Sequence, residues 1–251
     1  MTALQGTPTH TYPLAPGRSI GLGAGLRACF GGIGFVVTTP SAWGWAMVPM
    51  LVAFTILGGL SGLGIWGAVE IVSKAESWKG TAGGIALGVL APFVAFLIAA
   101  ALAQPLSGFA LDAIVQKQER ALGLPARPNA PFFSSLFRSL RVTLLGLAVG
   151  LPILGLLALI TALFAPAAVV TVPLKFFVTS LLVAWDFLDY PLSQRQLGVR
   201  QRLSWIFSHF VAVCAFGAMS AAILLIPGIG LVMLPFGVAG ATRLVLASER
   251  G

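Results

Sequence analysis

Charged residues are scarce in this 251-residue chain: they make up 9% of the sequence, against 58% hydrophobic residues, and seven of them are acidic. The mean hydropathy is +0.98. A water-soluble domain cannot hide so large an apolar fraction inside one core. This scarcity excludes a soluble protein and predicts an integral membrane protein whose solvent and first partner is the lipid bilayer.

Residues that carry common enzyme chemistry are also rare. The sequence has two histidines, His10 and His209, and contains no nucleophile elbow, phosphate-binding loop or zinc-protease motif. Its two cysteines, Cys29 and Cys214, show no metal-ligand spacing. We therefore expect no catalytic residue, no metal site and no cofactor, and we interpret the protein as a non-enzyme.

Four long stretches contain no charged residue, and each exceeds the roughly 20 residues that a spanning helix needs. They are residues 46–69, 81–111, 142–174 and 210–242. Because they are continuously apolar rather than alternating, they predict helices and not a closed barrel. The first two predict long transmembrane helices that pack as a hairpin. Each carries a small-xxx-small pair, Gly58 and Gly62 on one helix and Gly84 and Gly88 on the other.

The last two stretches have 33 residues each, which is more than one span needs and fewer than two complete spans need. Helix breakers interrupt both, including Pro166 in the first and Pro227-Gly228 at the centre of the second. We predict two re-entrant or short-spanning helical hairpins. A hairpin that turns back and a hairpin that crosses twice both return the chain to the side from which it entered. The predicted location of the C-terminus is therefore the same in both cases.

Two further segments predict amphipathic helices that lie along the membrane interface. Residues 21–40 are rich in glycine and too interrupted to span, and glycine permits close approach to another backbone. In the segment Arg200–His209, Leu203, Ile206 and Phe207 share one helical face, while Arg202 lies off it. The fold class is therefore an all-α integral membrane protein.

The chain is organised as a flexible tail, residues 1–20, followed by one multi-pass domain, residues 21–248. Seven basic residues, before the first predicted span and after the second, lie on the side of the membrane that holds the N-terminus. Lys74 and Lys79, in the loop between the two spans, lie on the other side. The positive-inside rule therefore places both termini in the cytoplasm. The net charge of +8 then reflects topology and not a nucleic-acid partner. Asp112 and Glu119, in the polar connection 112–141, predict a solvated helix end.

Arg27 follows three spaced glycines, Gly21, Gly23 and Gly25. At the start of a helix, their bare N–H groups would cradle a tetrahedral oxyanion while the guanidinium supplies charge. The alternative is an arginine that reaches toward lipid phosphate and fixes topology.

Two other pairs of ionisable residues repeat a three-residue spacing, which places each pair on one helical face. Arg138 and Arg141 form a second basic patch or ordinary positive-inside flanking. Asp186 and Asp189 would take up protons during coupled transport, or would pair with arginines. The candidate arginine partners are Arg195, Arg200, Arg138 and Arg141.

Three segments resemble the CysZ sulfate-permease family, which is grouped with the etoposide-induced membrane proteins. They are Trp185–Ser193 (WDFLDYPLS), Gln104–Phe109 (QPLSGF) and Gly25-Leu26-Arg27. The resemblance implies two long spans, two partly penetrating hairpins and a homo-oligomer in the bacterial inner membrane. It also implies that Gly25, Leu26 and Arg27 bind sulfate.

Two hypotheses follow. The first is an oligomeric inner-membrane protein that passes sulfate or a related oxyanion, with Arg27 and the glycine N–H groups at a cytoplasmic-facing entry site. The second is a non-transporting membrane scaffold that binds partner proteins or lipid. The sparse charge within the apolar stretches favours the scaffold, because the path of a divalent anion needs polar residues.

Overall fold

The computed structural model describes residues 20–124, 132–226 and 229–250, and the tail predicted for residues 1–20 falls almost wholly outside this part. The described residues form α-helices, one short 3-10 turn at Ala165–Ala167 and no strand. The helices are α1 (Leu22–Thr38), α2 (Pro40–Ser73), α3 (Trp78–Leu106), α4 (Gly108–Ala121), α5 (Phe132–Leu163), α6 (Ala168–Gln194), α7 (Val199–Ser208), α8 (Phe210–Leu224) and α9 (Ile229–Arg250). The prediction of an all-α membrane protein is confirmed.

Five helices in the described part are long and apolar enough to cross a membrane: α2, α3, α5, α6 and α9. A sixth span results if α7 and α8, which bend by 94° where they meet, form one broken span. The two long transmembrane helices predicted from the first charge-free stretches are α2 and α3. In the first predicted hairpin, both arms have the length and composition to cross, so the structure favours spanning arms there.

The hairpin of α2 and α3 closes through a short turn in which Ser77 caps α3, its Oγ accepting the N–H of Gly80 at 3.4 Å. The helices run antiparallel, because Gly64 packs on Ala91 while Val72 packs on Gly84. Of the two glycine pairs, Gly84 and Gly88 lie in this contact, whereas nothing lies within 4 Å of the position of a Cβ on Gly58 or Gly62. At 100° per residue, Gly64 in the contact lies about 120° around α2 from Gly58 and about 160° from Gly62.

The hairpin of α5 and α6 turns at the 3-10 segment that contains Pro166. The hydroxyls of Thr161 and Thr171 lie 2.6 Å apart across the turn, and the Lys175 ammonium donates to Thr161 Oγ1 at 2.9 Å. The lysine that interrupts this apolar region is therefore satisfied by a hydroxyl of the neighbouring arm.

Helix α9 lies at the centre of the bundle. In its apolar stretch, Val232–Arg250, 72% of the residues are buried, against 11–17% in the other four candidate spans. Glycines let neighbouring helices approach it: a Cβ at Gly237 would overlap the ring of Phe187 on α6, and one at Gly32 on α1 would overlap the backbone of Gly240. The protein core is thus built on α9, with α2 and α3 outside it.

Helix α1 packs on α8 and α9 through one face that contains Gly25, Cys29 and Gly32. The close backbone approach predicted for this glycine-rich segment is confirmed, because a Cβ at Gly25 would overlap the carbonyl oxygen of Ala212. In α7, Leu203 and Phe207 are exposed, as expected of a helix at the interface.

We expect Gly32→Ala to lower the free energy of unfolding by about 1–3 kcal/mol, because the added methyl group has no space beside Gly240 and the backbones must separate. Thermal unfolding of the purified protein in detergent measures this. Gly34→Ala, on the open side of the same helix with nothing within 4 Å, is the matched control and should be neutral or mildly stabilising. Equal melting temperatures for the two variants would contradict the packing argument.

Candidate functional site

The N-terminus of α1 is open. Gly21 is its N-cap in an extended conformation, with no side-chain cap, and the N–H of Ala24 donates to the Gly21 carbonyl at 3.0 Å. The preceding N–H groups, on Leu22 and Gly23, belong to the part of a helix that has no intrahelical acceptor. Gly21 and Gly23 are exposed, with nothing within 4 Å of the position of a Cβ. This end therefore offers N–H donors and the positive end of a helix dipole.

The three residues predicted to bind sulfate occupy different environments. Gly25 is buried against α8, Leu26 is half-buried and Arg27 is exposed. Because Gly25 and Arg27 are two residues apart, they point to nearly opposite sides of α1. Arg27 thus presents the cationic group, while Gly25 fixes the position of the helix that carries it.

Asp189 forms a buried ion pair with Arg202, and the two side chains are 5% and 10% exposed. Ser193 Oγ donates to Asp189 Oδ1 at 3.1 Å, and Arg202 Nε donates to the Leu197 carbonyl at 2.8 Å. Arg202, which lies off the predicted apolar face of α7, is not among the arginine partners predicted for Asp189. The pair joins the end of α6 to α7 across the intervening turn.

Asp186 is half-buried on the side of α6 that faces α5, where a Cβ at Gly146 would lie 3.8 Å from its Oδ1. It makes no ion pair with any residue that the structure describes. Arg141 is exposed on α5. Arg138 lies in the same helix, and its side chain is outside the described part. Among the described side chains, Asp186 and Asp189 do not share an arginine.

Glu119, predicted at a solvated helix end, is 1% exposed, so that prediction was wrong. Its carboxylate lies 3.2 Å from Arg195 Nη1, and Arg195 Nη2 donates to Glu249 Oε2 at 3.0 Å. Arg195 also donates to the Pro191 carbonyl at 2.8 Å. A single arginine thus bridges α4, the end of α6 and the end of α9.

Asp112, the other residue predicted to be solvated, is also buried, at 6% exposure. Gln194 Nε2 donates to its carbonyl oxygen at 3.0 Å and to its Oδ1 at 3.4 Å. Asp112, Gln116 and Glu119 are spaced i, i+4 and i+7, which is the signal that α4 has a polar face. The neighbouring lysine and arginine in the sequence had favoured a solvated face. Within the described ranges no cluster of His, Cys, Asp or Glu is placed to hold a metal ion.

We expect Arg202→Met to destabilise the protein by about 3–5 kcal/mol, because it leaves the buried Asp189 carboxylate without its arginine. Arg200→Met, on the exposed side of the same helix, should change stability by less than about 0.5 kcal/mol. Thermal unfolding in detergent compares the two. The double variant Asp189→Leu with Arg202→Met should recover part of the loss, and a double variant less stable than the single one would contradict this account.

Comparisons with known proteins identify one family and several similar proteins. The family model described as sulfate transporter CysZ/etoposide-induced protein 2.4 matches residues 28–235. The sulfate transporter CysZ of Pseudomonas paraeruginosa is 30% identical over 162 residues, which are 64% of this chain and 65% of that protein. The protein of the same name from Pseudomonas syringae pv. tomato is 31% identical over 173 residues, or 66% of each chain.

The matched regions include only part of the candidate site. The alignments cover slightly less than two thirds of the length of these relatives. The family match contains the Asp189–Arg202 pair, and it begins one residue after Arg27 and ends before Arg243 and Glu249. Because this match nevertheless includes most of the described helices, the chain belongs to the sulfate transporter CysZ/etoposide-induced protein 2.4 family.

Proposed function

We propose that this protein passes sulfate, or a chemically related tetrahedral oxyanion, across a membrane. Family membership and relatives named sulfate transporter support the proposal. The five long apolar helices supply the membrane-spanning body that transport requires. The structural observation that carries the proposal is the exposed guanidinium of Arg27, one turn from the open N-terminus of α1.

The anion-binding segment in this proposal is Gly25-Leu26-Arg27. Arg27 supplies a charge-assisted hydrogen bond donor, and the first N–H groups of α1 supply further donors at the positive end of the helix dipole. Gly25 has a positioning role, because only a residue without a Cβ allows α1 to lie against the backbone of α8. Leu26, half-buried beside it, helps to seat the segment.

The distribution of charge supports a bacterial inner-membrane location with both termini in the cytoplasm. Arg195, Arg250 and Glu249 tie the ends of α6 and α9 to α4, so three helix ends meet at one end of the bundle. Lys74 and Lys79 lie at the α2–α3 turn, one span away from α4. The end with more arginine is the one that the positive-inside rule assigns to the cytoplasm.

A homo-oligomer is part of the proposal. Only 11% of the residues in the apolar stretches of α2 and α3 are buried, so most residues of the hairpin lie outside the core of their own chain. In lipid, helices associate through van der Waals contact at small residues, and the open glycines Gly58 and Gly62 lie on this hairpin. A second copy of the chain is the partner that we propose for it.

Uptake of radiolabelled sulfate into proteoliposomes tests the transport proposal. We expect saturable uptake by the wild-type protein and a reduction of about tenfold or more in Arg27→Gln, because a hydrogen bond to a charged group contributes about 1.5–3 kcal/mol. Arg200→Gln, which removes an exposed arginine on α7, is the matched control and should transport like the wild type.

Two outcomes would contradict the proposal in different ways. Uptake no faster than into empty vesicles, from protein with a normal melting temperature, would reject transport and favour the membrane scaffold. Saturable uptake that Arg27→Gln retains in full would keep transport and reject the site.

A further inference from the structure

Arg243, in the middle of the central helix α9, has no acidic partner in the described part of the structure. It makes no ion pair there, and its Nε is buried without a hydrogen-bond partner. An arginine keeps its charge under all ordinary conditions, and a charge in an apolar, partly buried setting is costly unless something compensates it. The structure therefore contains a half-buried cation that calls for an anion.

The guanidinium of Arg243 lies against Gly31 of α1. A Cβ added to Gly31 would overlap Nη1 and would lie 2.9 Å from Cδ and 3.1 Å from Cζ of this arginine. The guanidinium thus occupies the space that a side chain at position 31 would fill. Gly31 is four residues after Arg27, so the two positions share one flank of α1 and are about 40° apart around the helix.

The packing of α1 on α9 brings the two arginines to one level. Gly32 contacts Gly240 where the two helices cross. Gly25 lies against Ala212 and Cys29 against Ser220, so α1 runs parallel to α8. Trp205, just before α8, donates to Ser248 near the end of α9, so α1 runs antiparallel to α9. Three residues beyond Gly240, about 4.5 Å further along α9, the chain reaches Arg243 at the level of the turn that contains Arg27. The Cβ of a helical residue points toward the N-terminus of its helix, which directs the Arg243 side chain back toward Gly31 and the Arg27 side chain toward Gly23 on the same strip of α1.

We propose that Arg27 and Arg243 together hold one tetrahedral oxyanion over an open strip of α1, the residues Gly23, Arg27 and Gly31. This inference rests on the proposed function and adds the residue that sets its specificity. Two guanidinium groups match the double charge of sulfate, each offering a fork of donors to the oxygens, whereas a monovalent anion needs only one of them. Arg243 is the determinant of dianion preference.

Sulfate binding to the purified full-length protein, in a maltoside detergent free of phosphate, tests the proposal by calorimetry and by the sulfate-induced rise in melting temperature. We expect Arg243→Gln to weaken sulfate binding about tenfold or more and to abolish the preference for sulfate over nitrate. Arg243→Lys should keep part of the affinity. Gly31→Ala should weaken binding by displacing the guanidinium, a change that a flexible side chain tolerates without loss of fold.

Arg200→Gln is the control, since it removes an equal charge from an exposed position on α7. If Arg27→Gln loses sulfate binding and Arg243→Gln keeps both affinity and selectivity, the inference is overturned while the proposed function stands. If the wild-type protein binds no sulfate, the proposed function itself fails. If Arg243→Gln binds sulfate normally but loses co-purified anionic phospholipid, the arginine binds a lipid phosphate and its assignment to sulfate is overturned.

Discussion

Direct contact between helix backbones, made where glycine removes the side chain, is the constraint on which the rest of this structure depends. Lipid tails are as apolar as leucine, so helices in a membrane gain little from burying apolar side chains and must gain from close packing. Gly32 and Gly240 bring α1 onto α9, Gly217 brings α8 onto the Ser180 carbonyl of α6, and Gly237 accepts the ring of Phe187. These contacts fix the rotation of each helix about its own axis.

Because the rotation of each helix about its axis is fixed, polar side chains at the helix ends can meet in a buried cluster around Arg195. Arg195 reaches Glu119 on α4 and Glu249 on α9 only because the ends of three helices converge with their polar faces inward. Burying such charges is costly unless each has partners of good geometry, and removal of one partner leaves the others exposed to the full cost of desolvation. The cluster therefore specifies how the helix ends meet more than it adds to stability.

The sequence determined the lengths of the apolar segments well and their orientations poorly. Charge-free runs predicted α2 and α3, and Pro166 predicted the turn between α5 and α6, because length and helix breakers act locally. The break predicted at Pro227-Gly228 falls outside the described residues. Partner choice was not predictable in the same way. Asp189 pairs with Arg202 rather than with Arg195 or Arg200. Arg200 and Arg202 are two residues apart and therefore point to nearly opposite sides of α7. Likewise, α4 is buried because other helices cover it, which its own composition does not show.

The glycines of α1 have two functions that depend on opposite faces of the helix. Gly25 and Gly32 are bare because backbones touch there, and they are buried. Gly23 and Gly31 are bare on the other flank, where Gly23 has open space and Gly31 has the guanidinium of Arg243. A helix with side chains on the first face would move away from α9 and carry Arg27 away from Arg243. A helix with side chains on the second face would keep its place, but a side chain at position 31 would displace the guanidinium of Arg243. The same residue type therefore positions the helix and leaves room for the proposed anion site, although glycine itself adds nothing to the stability of the helix.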